Sequence, residues 1–186
     1  MRLFVAVNLP AAERERVQHA TSALRESTLP VQWVAPDAYH LTLKFLGEVV
    51  DQRASEVGRA VSEAATYLQS FPLRLRAAGA FPSVRRPSVW WIGVERSESL
   101  AALQQSVERT LAPLGFQADA RLFSPHLTLG RTRRSAPPAA LQQAESLLHD
   151  VAYDSTITVE TLDLMRSHLS SRGARYECLR AAALRP

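Results

Sequence analysis

Two short segments, HLTLKFLG at residues 40–47 and SPHLTLGR at 124–131, carry the same order of a histidine, an apolar residue and a threonine. On a β-strand, residues two apart point to the same face. His40 and Thr42 therefore share a face opposite to Leu41 and Leu43, and His126 and Thr128 share one opposite to Leu127 and Leu129. Imidazole changes charge near neutral pH, so two of them can act as general base and general acid on the two sides of one reacting centre. In-line displacement at phosphorus needs that arrangement, because the attacking and leaving oxygens lie on opposite sides. Two threonine hydroxyls would donate to the non-bridging oxygens, where charge builds. One such tripeptide in an apolar strand is ordinary structure; two, at matching places in a repeated unit, make a constellation.

The elements around the motifs repeat in order. An apolar strand, LFVAVNLP, precedes a helix that Pro10 begins and that runs from about Ala11 to Arg25. The first motif strand follows and stops at Gly47; then come a helix over about Asp51–Gln69, with Val57, Val61, Ala64 and Leu68 on one face, and the strand FPLRLRAAGAF. PSVWWIGV, the helix SLAALQQSVERTLAPLG, the motif strand RLFSPHLTLGR, a helix over about Pro138–His149 and the strand STITVETLDLMRSHLS spell the same unit again, and ARYECLRAAAL adds a last strand. Only PSVRRPS between the halves and RRSAPP before the fourth helix read as linkers. The expected fold class is α+β: two pseudo-symmetric lobes, each an antiparallel sheet backed by helices, with a central cleft lined by the histidines and threonines. The chain, residues 1–186, is read as one domain whose halves are about 1–84 and about 85–186, with room for strand exchange between the lobes.

Composition narrows the classes. Apolar residues make up 46% and charged residues 22%, and no apolar run reaches the eighteen or so residues a membrane span requires. The N-terminal MRLFVAVNLP turns at once into a charged stretch and lacks the shape of a signal peptide. One cysteine, Cys178, supports neither a disulfide framework nor a thiolate metal site. A cytoplasmic location and a monomer are expected. No Asp, Glu or Cys stands at ligand spacing beside either motif histidine, so no metal is expected. Phosphate-binding glycine loops are absent, so ATP is expected to be dispensable and the cofactor set empty. The net charge of +4 permits a polyanionic partner without requiring one.

RLFVAVNLP, HLTLKFLGEV, GAFPSVRRPSVWWIGV, SPHLTLGR and GARYECL, spread over nearly the whole chain, resemble the two-histidine (2H) phosphoesterases and, within them, the RNA 2′,3′-cyclic phosphodiesterases, also called 2′-5′ RNA ligases. The resemblance implies two lobes around a basic cleft, no metal, and hydrolysis of a terminal 2′,3′-cyclic phosphate on RNA to a 2′-phosphomonoester, with 2′-5′ joining of RNA ends also catalysed by some relatives. Carried over by position, His40 and His126 are the acid–base pair and Thr42 and Thr128 the phosphate ligands. We take His126 as base and His40 as acid in hydrolysis, an order that the symmetry of the motifs leaves open. Arg131 matches the family's basic position after the second motif. Strict alternation turns it away from the cleft, so a bend at Gly130 must bring it back.

Lys44 shares the parity of His40 and Thr42 and is a candidate substrate contact, whereas Phe45 belongs to the packed face. Trp33, Tyr39 and Phe123 flank the motifs and are candidate stacking surfaces for a base, and Arg85 and Arg86 are candidates for holding the RNA backbone. His19, His149 and His168 carry no role. One alternative is a cyclic phosphodiesterase of the same superfamily that acts on a small nucleotide such as ADP-ribose cyclic phosphate. Another is a non-catalytic RNA-binding module, against which both intact His-x-Thr pairs argue.

Overall fold

A computed structural model describes residues 1–120, 122–170 and 173–186. Its centre is β1 (Arg2–Asn8), an apolar run buried on both faces. On one side β1 pairs with β3 (His40–Glu48), and on the other with β8 (Thr161–Ser170), which in turn pairs with β9 (Gly173–Ala183). These four strands form one wing. The other contains β4 (Phe71–Ser83), β5 (Arg86–Val94), β6 (His126–Thr132) and β7 (Asp154–Val159), in the order β7-β4-β5-β6, with β2 (Val31–Trp33) also paired to β6. Every pairing between these strands is antiparallel.

The wings meet where β3 and β6 share a single registered pair, Leu41 with Leu127. In space each wing mixes strands from both halves of the chain: β4 lies beside β5, and β8 beside β1. Glu160 makes this crossing. The stretch 155–170, expected as one strand, breaks there into β7, which pairs with β4, and β8, which pairs with β1. PSVRRPS, expected as a linker, is the tight turn of the β4–β5 hairpin, with Ser83 registered to Arg86. Arg121, expected as the start of the second motif strand, lies outside the described residues; β6 itself begins at His126.

Helices cover the convex face. α1 (Ala11–Ala20) follows Pro10 and ends at Thr21, whose Oγ1 donates to the Val17 carbonyl; α2 (Ser22–Glu26) then restarts, so the expected single helix is two. α3 (Ala54–Ala65) buries Val57, Val61 and Ala64, and α4 (Glu98–Leu111) buries Leu100, Leu103, Val107 and Leu111. The Ser97 Oγ caps α4 by accepting from the Leu100 amide at 3.1 Å. α3 and α4 pack together, and Ser106 donates to the Ala64 carbonyl. The fourth expected helix is a 3-10 turn at Pro138–Leu141 followed by α5 (Ala144–His149). The main core fills the space between helices and sheet, and a small second cluster of Phe4, Ala6 and Met165, with Tyr176 against it, lies on the opposite, concave face. Among the described residues no helix is long and apolar enough to cross a membrane.

Candidate active site

The pair Leu41–Leu127 is fully buried, at 1% and 0% exposure, which turns the neighbouring residues of both strands to the concave side. Antiparallel geometry about that pair sets His40 beside Thr128 and Thr42 beside His126. Each ring is held in the same way. His40 Nδ1–H donates to the Ala38 carbonyl at 2.8 Å, and His126 Nδ1–H to the Ser124 carbonyl at 2.8 Å. A carbonyl oxygen only accepts, so both rings keep Nε2 free of the backbone; His40 is among the residues that line the cleft, and His126 is held beside them on β6. In the neutral ring, His40 Nε2 accepts from Thr42 Oγ1 at 3.0 Å. An aromatic edge supports each imidazole: Tyr176 stands 4.9 Å from His40 at 85°, and Phe81 stands 5.0 Å from His126 at 85°. Phe4 adds a second contact to His40 at 4.8 Å. Burial pushes the His40 pKa below the ordinary imidazole value, the Ala38 carbonyl opposes this, and the charge of nearby His126 lowers it further.

Beyond the threonines both strands bulge at equivalent places. On β3, Ala6 is registered to Thr42 and the preceding Val5 to Lys44, so Leu43 is the extra residue. On β6, Trp91 is registered to Thr128 and Trp90 to Gly130, so Leu129 is extra. Parity flips after each bulge. Lys44, expected at the cleft, is instead 2% exposed, with Nζ 2.6 Å from Glu108 Oε2 of α4 and 2.7 Å from the Gln117 carbonyl. Phe45, expected in the core, is 61% exposed and lines the cleft. By the same flip Arg131 lies on the cleft side. A Cβ on Gly130 would fall 2.7 Å from both Trp33 Cε3 and Val31 Cγ1, so glycine is what lets β2 close over β6.

The cleft measures about 630 Å³ and is lined by Thr42, Thr128, Arg131, Phe45 and the His40 ring. Trp33, a candidate stacking surface, also lines it, braced by Trp90 at 5.7 Å and by the Arg25 guanidinium at 5.8 Å. Tyr39 does not: it is 1% exposed, its hydroxyl accepts from Arg25 Nη1 at 2.7 Å, and burial raises its pKa. The residue before the motif points into the core because His40 points out. Phe123 packs against the core edge and is not among the residues that line the cleft, while its carbonyl accepts from Arg96. Arg85 and Arg86 are exposed at the β4–β5 turn. Sequence reasoning did not single out Phe45, Tyr176, Arg25 or the buried Asp163 of the concave face, whose carboxyl accepts from Asn8 and is raised in pKa by burial. GARYECL, which contains Tyr176, and HLTLKFLGEV, which contains Phe45, hinted at two of them. Among the described residues, no group of three or more His, Cys, Asp or Glu could hold a metal ion.

The sequence profile of the 2′-5′ RNA ligase superfamily matches residues 6–170. A protein of Archaeoglobus fulgidus named RNA 2′,3′-cyclic phosphodiesterase is 35% identical over 182 residues, covering 97% of this chain and 98% of that protein. One of the same name from Methanothermobacter thermautotrophicus is 31% identical over 176 residues, 95% of each. Among solved structures, TT0787 of Thermus thermophilus superposes with a TM-score of 0.82 at 29% identity, over 100% of this chain and 98% of that one. E. coli LigT complexed with 3′-AMP superposes with a TM-score of 0.77 at 28% identity, over 98% and 97%.

Proposed function

The chain belongs to the 2′-5′ RNA ligase superfamily of 2H phosphoesterases, and from that premise we propose that it hydrolyses a terminal 2′,3′-cyclic phosphate on RNA to a 2′-phosphomonoester. The observation that carries this reading is the Leu41–Leu127 pair, about which both His-x-Thr motifs share one concave face. Water attacks phosphorus opposite O3′, His126 Nε2 takes its proton, the P–O3′ bond breaks, and His40 gives a proton to O3′. Burial lowers the pKa of His40, which makes its imidazolium the readier donor. Thr42, Thr128 and the Arg131 guanidinium hold the non-bridging oxygens as charge accumulates. These groups supply proton transfer and charge stabilisation without a metal. With a 5′-hydroxyl in place of water the same step joins RNA ends: His126 takes the proton of the 5′-hydroxyl, the P–O3′ bond breaks, His40 protonates O3′, and a 2′-5′ linkage remains.

The test is turnover, in chelator, of an oligonucleotide that ends in a cyclic phosphate, with identification of the hydroxyl that keeps phosphate. His40→Ala and His126→Ala should each lower kcat by about 10²- to 10⁴-fold. On a substrate with sulfur at the 3′ leaving position, which departs without a proton, His40→Ala should recover most of its loss and His126→Ala should not. The opposite pattern would reverse the order of acid and base. Undiminished turnover in both variants would end the acid–base roles of the two histidines, absence of turnover in the wild type would leave a binding module, and activity abolished by chelator and restored by metal would end the metal-free reading.

A further inference from the structure

Arg2, Ser167 and Tyr176 stand side by side across β1, β8 and β9, since Arg2 is registered to Ser167 and Ser167 to Tyr176. Registered antiparallel partners point to one face, and all three line the cleft. Ala6, registered to Thr42, lies four residues along β1 from Arg2, about 13 Å at the rise of a strand. The Tyr176 ring bridges part of that interval by its contact with His40 at 4.9 Å. The trio is therefore separate from the catalytic phosphate groups but continuous with them. It offers a guanidinium fork and two hydroxyls. Among the described residues no carboxylate lines the cleft and no ion pair engages Arg2; Glu48, registered to it on β3, stands 3.7 Å from the N-terminal ammonium. Burial raises the Tyr176 pKa, while Arg131 and Arg2 draw it back, so the phenol sits in the field of both guanidinium groups.

We propose that Arg2, Ser167 and Tyr176 form a second phosphate subsite, which takes the phosphodiester on the 5′ side of the terminal nucleotide and makes the cleft favour an RNA end over a cyclic mononucleotide. The proposal rests on the reading of the cleft as a site for RNA ending in a cyclic phosphate. It requires the next anion, one nucleotide from the catalytic phosphorus, to run along the cleft toward the trio.

The experiment measures binding in the His126→Ala protein, so that it does not depend on turnover. The probes are a dinucleotide ending in a 2′-phosphate, the same dinucleotide with an uncharged methylphosphonate linkage, and the nucleoside 2′-monophosphate. The charged linkage should bind about tenfold tighter than the neutral one, as expected for charge-assisted hydrogen bonds. Arg2→Gln should shrink that ratio toward one, and Tyr176→Phe, which keeps the ring against His40, should shrink it in part. Equal affinity for charged and neutral linkages overturns the subsite, as does a preference that survives both variants. A preserved preference in a protein whose wild type turns over no cyclic phosphate overturns the enzymatic reading and leaves the subsite standing.

Discussion

Matching motifs place the two histidines in unequal surroundings. Both donate Nδ1–H to the carbonyl two residues before them, yet His40 alone is packed between Phe4 and a phenol, and burial lowers its pKa. A lowered pKa means that the His40 ring takes up its proton only at a pH below the usual imidazole range near 6.5. The acid limb of the kcat/KM profile should therefore lie below that range whichever role the ring plays. Tyr176→Ala admits water to the ring and should move the limb upward, toward the ordinary value. NMR titration of the His40 ring in both proteins checks this directly, and a resonance that titrates at the same pH in both would remove burial by Tyr176 as the cause.

At the scale of the strand, two bulges decide which side chains reach the cleft. Each inserts one residue after the His-x-Thr, and each moves the third residue beyond the threonine to the concave face, Phe45 on β3 and Arg131 on β6. The intervening positions are solved differently. Lys44 turns inward to Glu108, whereas Gly130 leaves room for Trp33 and Val31. Lys44→Met should leave Glu108 half-buried without its cation and cost about 1–3 kcal/mol of stability with kcat/KM nearly unchanged. A kcat/KM loss of tenfold or more, without a fall in Tm, would return Lys44 to the substrate. Gly130→Ala should act on both quantities: the added methyl overpacks β2, costs about 1–3 kcal/mol, and shifts Trp33 and Arg131 together.

At the scale of the whole molecule, exchange of strands ties the wings to one another. Neither half of the chain can build its wing alone, because β1 needs β8 and β5 needs β4. The three tryptophans, Trp33, Trp90 and Trp91, all lie in β2 and β5, so their emission reports one wing while circular dichroism reports both. Leu164→Ala, in the buried core under the other wing, should cost about 2–5 kcal/mol and lower both midpoints equally. Separate midpoints would mean that the wings unfold independently. What the amino-acid sequence determined by itself was local: the alternation that turns His40, Thr42, His126 and Thr128 to one side, the repeated order of elements, the apolar stripes of α3 and α4, and the resemblance of the motifs to one family. What only the tertiary structure decided was non-local. The pairing of β2 with β6, the break at Glu160, the inward turn of Lys44, the burial of Tyr39 and the alignment of Arg2 with Tyr176 each depend on a partner far along the chain. A strand's period is written in its own residues, but where its ladder skips a residue, and which neighbour covers it, is set by the strands and helices that pack against it.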